Sequence, residues 1–409
     1  MTWPTIPLRR LVVCLDGRRI PLNREERSDM QGDVPYWGAG GILDSVSAAI
    51  FNEPLVLLGE DGAPFFTTGK DVAYYIEGPS WINNHIHALR PTSVDGRFLA
   101  YALNSVDYAN YITGATRDKL TQDDLKQIMV WNPPMEEQHR IANFLDVETS
   151  RIERLVTQRH QQMKLLAERR TSALAECVSS SGPDSVQHPL VGIVPRSWPV
   201  LPLRRVIPAV NVGVVINPST YFEDDGVPFI HGFNVRSGWI DPRGLKFMSS
   251  DSNEELRRSR VHSGDVLVVR AGSPGRAAVV TDEYDGANCA SVLILRRGQA
   301  MLPHFLTAFI NSPAGQGQVQ LSQYGAAQEV ISAAQTLSFV APVPDLAEQR
   351  YRVDRLNSAL EAQARVLRTL EHQVALLAER RQALITAAVS GQLDVSTASG
   401  RNITEGVFA

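Results

Sequence analysis

Basic side chains concentrate in one stretch of this sequence, residues 236–276. The stretch holds eight Lys or Arg residues against five Asp or Glu residues, a local balance of +3. Within it, Arg270 and Arg276 flank a Gly-Ser-Pro-Gly turn. Guanidinium groups can donate paired hydrogen bonds to guanine O6 and N7, and the backbone N–H groups of a turn suit phosphate. The pattern therefore predicts a DNA-contacting surface. Its candidate residues are Arg236, Arg243, Lys246, Arg257, Arg258, Arg260, Arg270 and Arg276.

The first half of the chain is less basic, and its candidate DNA contacts are scattered. They are Lys70, Arg90, Arg117 and Lys119. For any single one of these cations, and for each arginine of the second half, an ordinary solvated loop is the alternative interpretation, because Lys and Arg are mostly exposed in all proteins.

Residues 132–135 (Asn-Pro-Pro-Met) carry most of a catalytic motif. Methyltransferases that hold a flipped base use Asn-Pro-Pro followed by an aromatic ring, which stacks on the base. Met135 stands where that ring is needed, and no glycine-rich strand-turn-helix for a methyl donor precedes it. The corresponding residues 343–346 read Val-Pro-Asp-Leu and lack the asparagine. We therefore expect a proline stop before a helix and no methyltransferase activity.

Other catalytic and metal-binding patterns are missing from the sequence. It contains no phosphate-binding lysine loop and no His/Cys group at zinc spacing. Glu60 and Asp61 precede a glycine, and without a following Glu-x-Lys they are interpreted as a turn and not as a nuclease site. His85 and His87 alternate along a predicted strand, and we expect them on a solvated face. The sequence thus predicts a chain without catalytic activity or a bound metal.

The composition is that of a folded protein with more than one domain. The 409 residues are 44% apolar and 21% charged, which argues against global disorder and exceeds the length of one ordinary domain. No apolar run is long enough for a membrane span or an export signal. Cys14, Cys177 and Cys289 lie far apart, so we expect buried thiols and a cytoplasmic protein. The net charge of −4 does not decide the question of nucleic acid, because an acidic surface can accompany a basic one.

The chain contains an internal repeat. Leu-Leu-Ala-Glu-Arg-Arg at residues 165–170 recurs at residues 376–381, an offset of 211, and the Glu-Gln pair at residues 137–138 recurs at the same offset. The starts also repeat, since residues 3–10 resemble residues 198–205 at an offset of 195. The middle of each half is far less alike than its ends. The chain is therefore two half-chains, each a variable globular part followed by a shared helical part.

Each half ends in a predicted long helix. Residues 136 to about 178 and residues 346–390 contain no proline and no glycine, and mostly apolar residues recur at alternating steps of three and four. Such heptads predict two helices, each roughly 60 Å long, that pack on each other as an antiparallel coiled coil. The alternative is two amphipathic helices that each pack on their own globular part. The predicted seam contains Leu145, Ile152, Val156, Met163, Leu166, Leu356, Leu360, Leu367, Leu370, Val374 and Leu377.

The globular parts are predicted to be mixed α/β. Residues 55–58 and 266–269 are short apolar runs typical of buried strands, whereas residues 98–111 and 303–311 favour helix. We therefore expect a mixed α/β fold with a pseudo-twofold internal repeat and two globular domains separated by the long helices. The expected segments are a first domain (1–134), a central helix (135–180), a linker (181–197), a second domain (198–344), a distal helix (345–391) and a tail (392–409).

Short motifs follow one another in a similar order in both halves of the chain. They are residues 34–42 (Val-Pro-Tyr-Trp-Gly-Ala-Gly-Gly-Ile), 59–62 (Gly-Glu-Asp-Gly), 114–120 (Gly-Ala-Thr-Arg-Asp-Lys-Leu), 133–138 (Pro-Pro-Met-Glu-Glu-Gln), 227–230 (Val-Pro-Phe-Ile), 264–267 (Gly-Asp-Val-Leu) and 344–349 (Pro-Asp-Leu-Ala-Glu-Gln). In this order, and twice over, the motifs resemble those of one known family, the specificity subunits of Type I restriction-modification systems, and the resemblance covers nearly the whole chain. The second copy departs from the first by placing Gln328 and Val330 where the first has Arg117 and Lys119, so that turn is not a DNA contact common to both halves.

The resemblance implies a function in bacterial defence. Each globular part would be a target recognition domain that reads one half of a split, asymmetric site in double-stranded DNA. The paired helices would set the spacing between the half-sites and dock two modification subunits and the restriction/translocase subunits. This chain would then need no cofactor, because S-adenosylmethionine, ATP and Mg belong to those partners.

Two other classes of protein remain open on the sequence. A recognition subunit of a related restriction-modification enzyme outside Type I would look nearly identical. A coiled-coil scaffold that binds proteins and not DNA is the less related alternative.

Overall fold

The chain forms two compact units in a computed structural model that describes residues 3–112, 118–323 and 330–396. The first unit comprises residues 1–161 and 369–409, and the second comprises residues 162–368. Among the described residues, no helix combines the length and the apolar character that crossing a bilayer requires.

The globular part of the first unit is built on two four-stranded sheets. Its strands are β1 (Thr5–Pro7), β2 (Val12–Cys14), β3 (Gln31–Gly38), β4 (Gly41–Val46), β5 (Phe51–Asn52), β6 (Leu55–Gly59), β7 (Ala73–Ile76), β8 (Pro79–Ile82), β9 (Ile86–Pro91) and β10 (Met129–Trp131). One sheet has the order β2-β9-β6-β7 and is antiparallel. The other has the order β4-β3-β8-β5, in which β3 and β8 are parallel. A short ladder pairs β1 with β10.

Helices cover the antiparallel sheet of the first unit. They are α2 (Gly96–Asn104), α3 (Gln122–Gln127) and the first part of α4 (Met135–Val178), whereas the short helix α1 (Arg24–Asp29) contacts β4 of the other sheet. All five residues of β6 are buried, because α2 contacts the strand on one side and the second sheet covers the other. Phe98 and Leu99 of α2 join the same core as Val56 and Leu58.

The globular part of the second unit has the same two-sheet plan. Its strands are β11 (Ser185–His188), β12 (Gly192–Pro195), β13 (Val200–Pro202), β14 (Val210–Val212), β15 (Phe222–Glu223), β16 (Val227–His231), β17 (Lys246–Met248), β18 (Val266–Val269), β19 (Ala277–Val279), β20 (Asn288–Ala290), β21 (Val292–Leu295) and β22 (Val340–Pro342). Its helices are α5 (Ser250–Glu255), α6 (Pro303–Asn311), α7 (Pro313–Gln323), α8 (Ala333–Ser338) and the first part of α9 (Leu346–Ser390). The sheets have the orders β14-β21-β18-β19 and β15-β17-β16-β20, and β16 and β20 are parallel.

The repeat read from the sequence extends through both globular parts. The ladder β1–β10 of the first unit corresponds to β13–β22 of the second, at the offsets of 195 and 211 found in the sequence. The dissimilar middles also share a topology, because β2-β9-β6-β7 and β14-β21-β18-β19 follow the same order. The mixed α/β fold and its internal repeat are confirmed.

The two long helices contain 44 residues in α4 and 45 in α9. In the first unit, Ile141 and Leu145 of α4 pack in one core with Leu384 and Ala388 of α9. In the second unit, the cluster joins the end of α4 to the start of α9 through Cys177 and Val353, among others. Within each unit the two helices are therefore antiparallel.

The eleven residues of the predicted seam all lie at buried or half-buried positions. Those that are buried are Leu145, Ile152, Leu356 and Leu370. Those that are half-buried are Val156, Met163, Leu166, Leu360, Leu367, Val374 and Leu377.

Three local expectations differ from the structure. The helix predicted over residues 98–111 ends at Asn104, because the Asn104 side chain binds the backbone of Val72 and Ala73 and the chain turns away. The expected linker contains the hairpin β11–β12, which packs through Val191 and Val194 against Trp198. Cys14, expected to be buried, is exposed.

Candidate nucleic-acid interface

Carboxylates neutralise many of the basic residues that the sequence singles out. In the second unit, Asp241 lies 2.8 Å from Arg243 and 3.3 Å from Arg236. Hydrogen bonds from Arg243, and then from Arg236, hold the pKa of Asp241 well below its ordinary value although burial opposes the shift. The carboxylate is therefore ionised, and the three side chains together carry less positive charge than the sequence suggested.

Carboxylates also pair with four further basic candidates. Glu254 lies 2.8 Å from Arg260 and 3.9 Å from Arg257. In the first unit, Glu53 accepts from Arg90 at 2.5 Å, and Lys119 lies 3.4 Å from Glu60. A cation that already has a carboxylate partner gains less from a DNA phosphate, because the existing pair must be broken or shared.

Five basic candidates make no ion pair within the described part of the chain. Lys70, Lys246 and Arg258 are exposed, whereas Arg270 and Arg276 are half-buried. The Nε atoms of Arg270 and Arg276 are buried and have no hydrogen-bond partner among the described residues. The Nε of Arg260 is also without a partner, but that side chain is paired with Glu254. Buried donors are almost always satisfied in proteins, so among the candidates without an ion pair Arg270 and Arg276 are most in need of a ligand. Arg117 lies outside the described residues.

Two glycines shape the turn between Arg270 and Arg276. The turn closes the antiparallel pair β18–β19 through hydrogen bonds from Val269 N to Arg276 O (2.8 Å) and from Gly275 N to Val269 O (2.9 Å). Gly272 and Gly275 have φ values of +84° and +88°. A Cβ at Gly275 would lie 2.8 Å from the Val319 side chain, so no larger residue fits there. The turn therefore fixes where both arginines leave the backbone.

A buried ion network occupies the first unit beside Glu60. His87 is fully buried, with Nδ1 2.6 Å from Asp16 and Nε2 3.0 Å from the Leu120 carbonyl. Both contacts are hydrogen bonds only when both ring nitrogens carry a proton. The expectation of a solvated face is therefore wrong for His87, because both faces of the strand are buried over residues 86–89 of β9.

Opposite charges lie next to one another inside this network. Burial alone would raise the pKa of Asp16, but the hydrogen bond and charge of His87 lower it to about 2. Arg19 donates to Glu60 at 2.7 Å and lies 3.4 Å from Asp16. One ligand atom from each of Asp16, Glu60 and His87 lies within 4.8 Å of the others, the spacing of a cation site. Because Arg19 already contacts both carboxylates and His87 Nδ1 is already bonded to Asp16, the donor set does not suit a metal ion.

The long helices present a repeated apolar surface. Leu165 and Leu376, which occupy the same place in the repeated Leu-Leu-Ala-Glu-Arg-Arg motif, are 51% and 48% exposed. In the first unit a groove of about 540 Å³ runs beside Leu376, with Leu155, Arg159 and Arg380 in its lining. The repeat thus places an exposed leucine at the equivalent position of each long helix.

One further pair of equivalent residues has a role that the sequence analysis did not assign, although the offset of 211 marks the pair. Gln138 and Gln349 are buried at the starts of α4 and α9. Gln138 accepts from Asp95 N at 2.8 Å, and Gln349 accepts from Leu302 N at 2.7 Å. Each also donates to a backbone carbonyl of the preceding proline turn, Pro133 or Pro344. Each glutamine therefore fixes a long helix to its globular part.

Comparison with known proteins agrees with the fold and the repeat. Residues 5–164 match the model of the Type I restriction modification DNA specificity domain. The Type I restriction enzyme EcoBI specificity subunit of Escherichia coli is 22% identical over 69% of this chain and 62% of its own length. The StySPI specificity subunit of Salmonella potsdam is 25% identical over 52% of this chain and 47% of its own length. The chain thus spans less than two thirds of either relative.

A solved structure of the type I R-M system has the same fold, with a TM-score of 0.69 and 17% identity over 96% of this chain and 98% of that one. The family model over residues 5–164, the relatives and the duplicated fold agree with one another, and each shows that this chain is similar to Type I restriction-modification specificity subunits.

Proposed function

We propose that this chain is the sequence-specific DNA-binding subunit of a Type I restriction-modification complex and reads a bipartite, asymmetric site in double-stranded DNA. The observation that carries the proposal is the duplicated architecture. Two globular parts of the same topology differ in their surface charges. An equivalent glutamine, Gln138 in the first and Gln349 in the second, joins each part to a long helix. Reading surfaces must differ to read different bases, whereas surfaces that bind identical partners must match.

Each segment predicted from the sequence has one role in this function. Residues 1–134 and 198–344 are the two target recognition domains. The uncompensated cations supply the electrostatic contact with DNA, and Arg270 and Arg276 are the strongest candidates in the second domain.

The repeated helix surface docks two modification subunits, which bring S-adenosylmethionine, and the restriction subunits, which bring ATP and Mg. The exposed Leu165 and Leu376 support this assignment. The chain itself is non-catalytic. Asn132 supports that view, because its side-chain oxygen accepts a hydrogen bond from Gln138 at 3.3 Å. The asparagine of the Asn-Pro-Pro motif is therefore used to hold the start of α4.

The experiment is to express the chain with and without a Type I modification subunit in a host that lacks methylation and to sequence the methylome. We expect a split motif with both half-sites modified only when both proteins are present. A methylome without a split motif, from a complex that assembles, would contradict the proposal. Salt-dependent binding of duplex DNA by the purified complex would separate it from a scaffold that binds only proteins.

A further inference from the structure

A cavity of about 440 Å³ lies in the second globular part, where four strands end. Strands β14, β16, β18 and β20 end at Val212, His231, Val269 and Ala290, and residues at or next to each of these ends line the cavity. Because β16 and β20 are parallel, their carboxyl ends open at the same edge. Ligand sites of α/β sheets form at such edges.

The walls of the cavity are about equally polar and apolar. The apolar lining includes Val214, Val215, Ile216, Pro218, Ala290 and Val330, and the polar side chains are those of His231, Arg270 and Ser291. Arg270 is the side chain whose buried Nε has no partner. A pocket that combines apolar walls with convergent polar groups can bind a flat ligand and fix its orientation.

Backbone strain marks the same place. Ser291 has a φ of +61° and is the only non-glycine residue with a left-handed φ among those that the structure describes. Its carbonyl accepts from Arg270 N at 2.9 Å, and this bond holds the start of the arginine turn against the cavity. Strain of this kind costs free energy and is concentrated at functional sites.

The first unit closes the corresponding place with its own side chains. There β6 is followed by Glu60, which holds Arg19 at 2.7 Å, and Arg19 also donates to Ile86 O at 2.8 Å. At the offset of 211 from Glu60 the second unit has Ala271, so the carboxylate is missing. The second unit therefore has a cation at an open cavity where the first unit has a filled ion network.

We propose that this cavity is a base-reading pocket, in which Arg270 donates to the O6 and N7 edge of a single guanine in the half-site read by the second domain. The inference rests on the proposed function and names one reading contact within it. A paired donation to guanine is the commonest specific contact of arginine with DNA. A phosphate contact at the same arginine would instead be independent of the base sequence.

His231 is suited to the same ligand. Its ring lies 4.9 Å from that of Phe229 and 5.2 Å from that of Phe233, which hold its plane. Burial, and then the charge of Lys246, lower the pKa of His231, so the ring is neutral near pH 7. A neutral imidazole offers one donor and one acceptor to the neighbouring base or to its partner strand.

The test uses the assembled complex and duplexes that carry its methylome-defined motif. Guanines of the second half-site are replaced one at a time by 7-deazaguanine, which lacks N7. We expect wild type to lose affinity roughly 5- to 150-fold at one position, the range of a paired arginine contact. Arg270→Ala should abolish that position's effect and leave the others, and the modified motif should become degenerate there. Arg270→Lys should keep affinity for random duplex but lose the same discrimination.

Arg258→Ala is the matched control, because Arg258 is exposed and uncompensated. We expect it to weaken all duplexes equally. An Arg270→Ala complex that keeps the whole motif, or that loses affinity equally for every duplex, would overturn the base-reading pocket. Failure of the proposed function would look different, because the wild-type complex would then show no split motif at all.

Discussion

Arg381 binds Asp71 through both terminal guanidinium nitrogens, at 2.7 and 2.8 Å, and so joins α9 to the first globular part. The residue at the equivalent place of α4, Arg170, donates to the backbone carbonyl of Ser237 in the second globular part. Both arginines close the repeated Leu-Leu-Ala-Glu-Arg-Arg motif. The repeat therefore serves attachment inside each unit as well as the exposed surface of the helices.

Removal of the Arg381–Asp71 pair should weaken the first unit. Arg381→Ala should lower the free energy of unfolding by about 2 kcal/mol, because two hydrogen bonds between charged groups are lost and a half-buried carboxylate stays unpaired. Urea denaturation of the complete chain measures the effect. Arg368→Ala, on an exposed position of the same helix, should change stability by less than about 0.5 kcal/mol. If Asp71→Asn added its full cost in the Arg381→Ala background, the pair would not be coupled.

The two buried glutamines allow a prediction with an internal control. Gln138→Ala and Gln349→Ala should each destabilise one unit by about 1–3 kcal/mol, since each leaves buried backbone groups unsatisfied. Hydrogen exchange should show faster opening near Asp95 in the first variant and near Leu302 in the second. Equal loss of protection in both units after either change would mean that the glutamines do not act locally.

Several features of the fold follow from local patterns in the sequence. The heptads of residues 346–390 carry no proline or glycine, and α9 spans that range. The apolar run of residues 55–58 becomes the buried strand β6, because a continuous run of apolar residues needs cover on both faces. The hairpin β11–β12 was missed, because its prolines and serines are those of a linker, whereas Val191, Val194 and Trp198 find a core through tertiary contacts.

The candidate site was harder to predict, because charge compensation depends on neighbours in space. Arg236 and Arg270 look alike in the sequence, yet Asp241 neutralises the first and no described carboxylate pairs with the second. His87 shows the same limit, because both faces of β9 are buried around it, and the local sequence does not show what covers the second face. Residue types thus predict which side chains can bind DNA, and the fold decides which are available.

The buried network of the first unit should make its stability depend on acid. The pKa of Asp16 is about 2, below its ordinary 3.8, so the ionised carboxylate stabilises the fold above about pH 4 and this contribution is lost as the pH falls toward 2. Asp16→Asn should therefore lower the free energy of unfolding at neutral pH by about 2 kcal/mol. The difference from wild type should shrink between pH 4 and pH 2. Asp29→Asn, at an exposed carboxylate, should match wild type throughout.

Exchange of one globular part should change one half of the methylated motif. Replacing residues 1–130 with the matching part of a relative leaves the reading residues of the second unit in place. It also leaves both long helices unchanged, with Gln138 and Gln349. Methylome sequencing should then report one new half-site and one unchanged half-site. A change in both half-sites, in a complex of unaltered composition, would show that the two domains read DNA jointly.

Lengthening both helices together should change the gap between the half-sites. A seven-residue insertion after Gln161 and another after Arg368 keep the heptad register, and these positions are the boundaries between the two units. Each insertion adds about 10 Å of helix, roughly three base-pair steps of duplex. On the proposed function, the methylated motif should keep both half-sites and widen its gap. Insertion into α4 alone should break the pairing with α9 and lower stability instead. An active complex with both insertions and an unchanged gap would mean that the helices do not set the spacing.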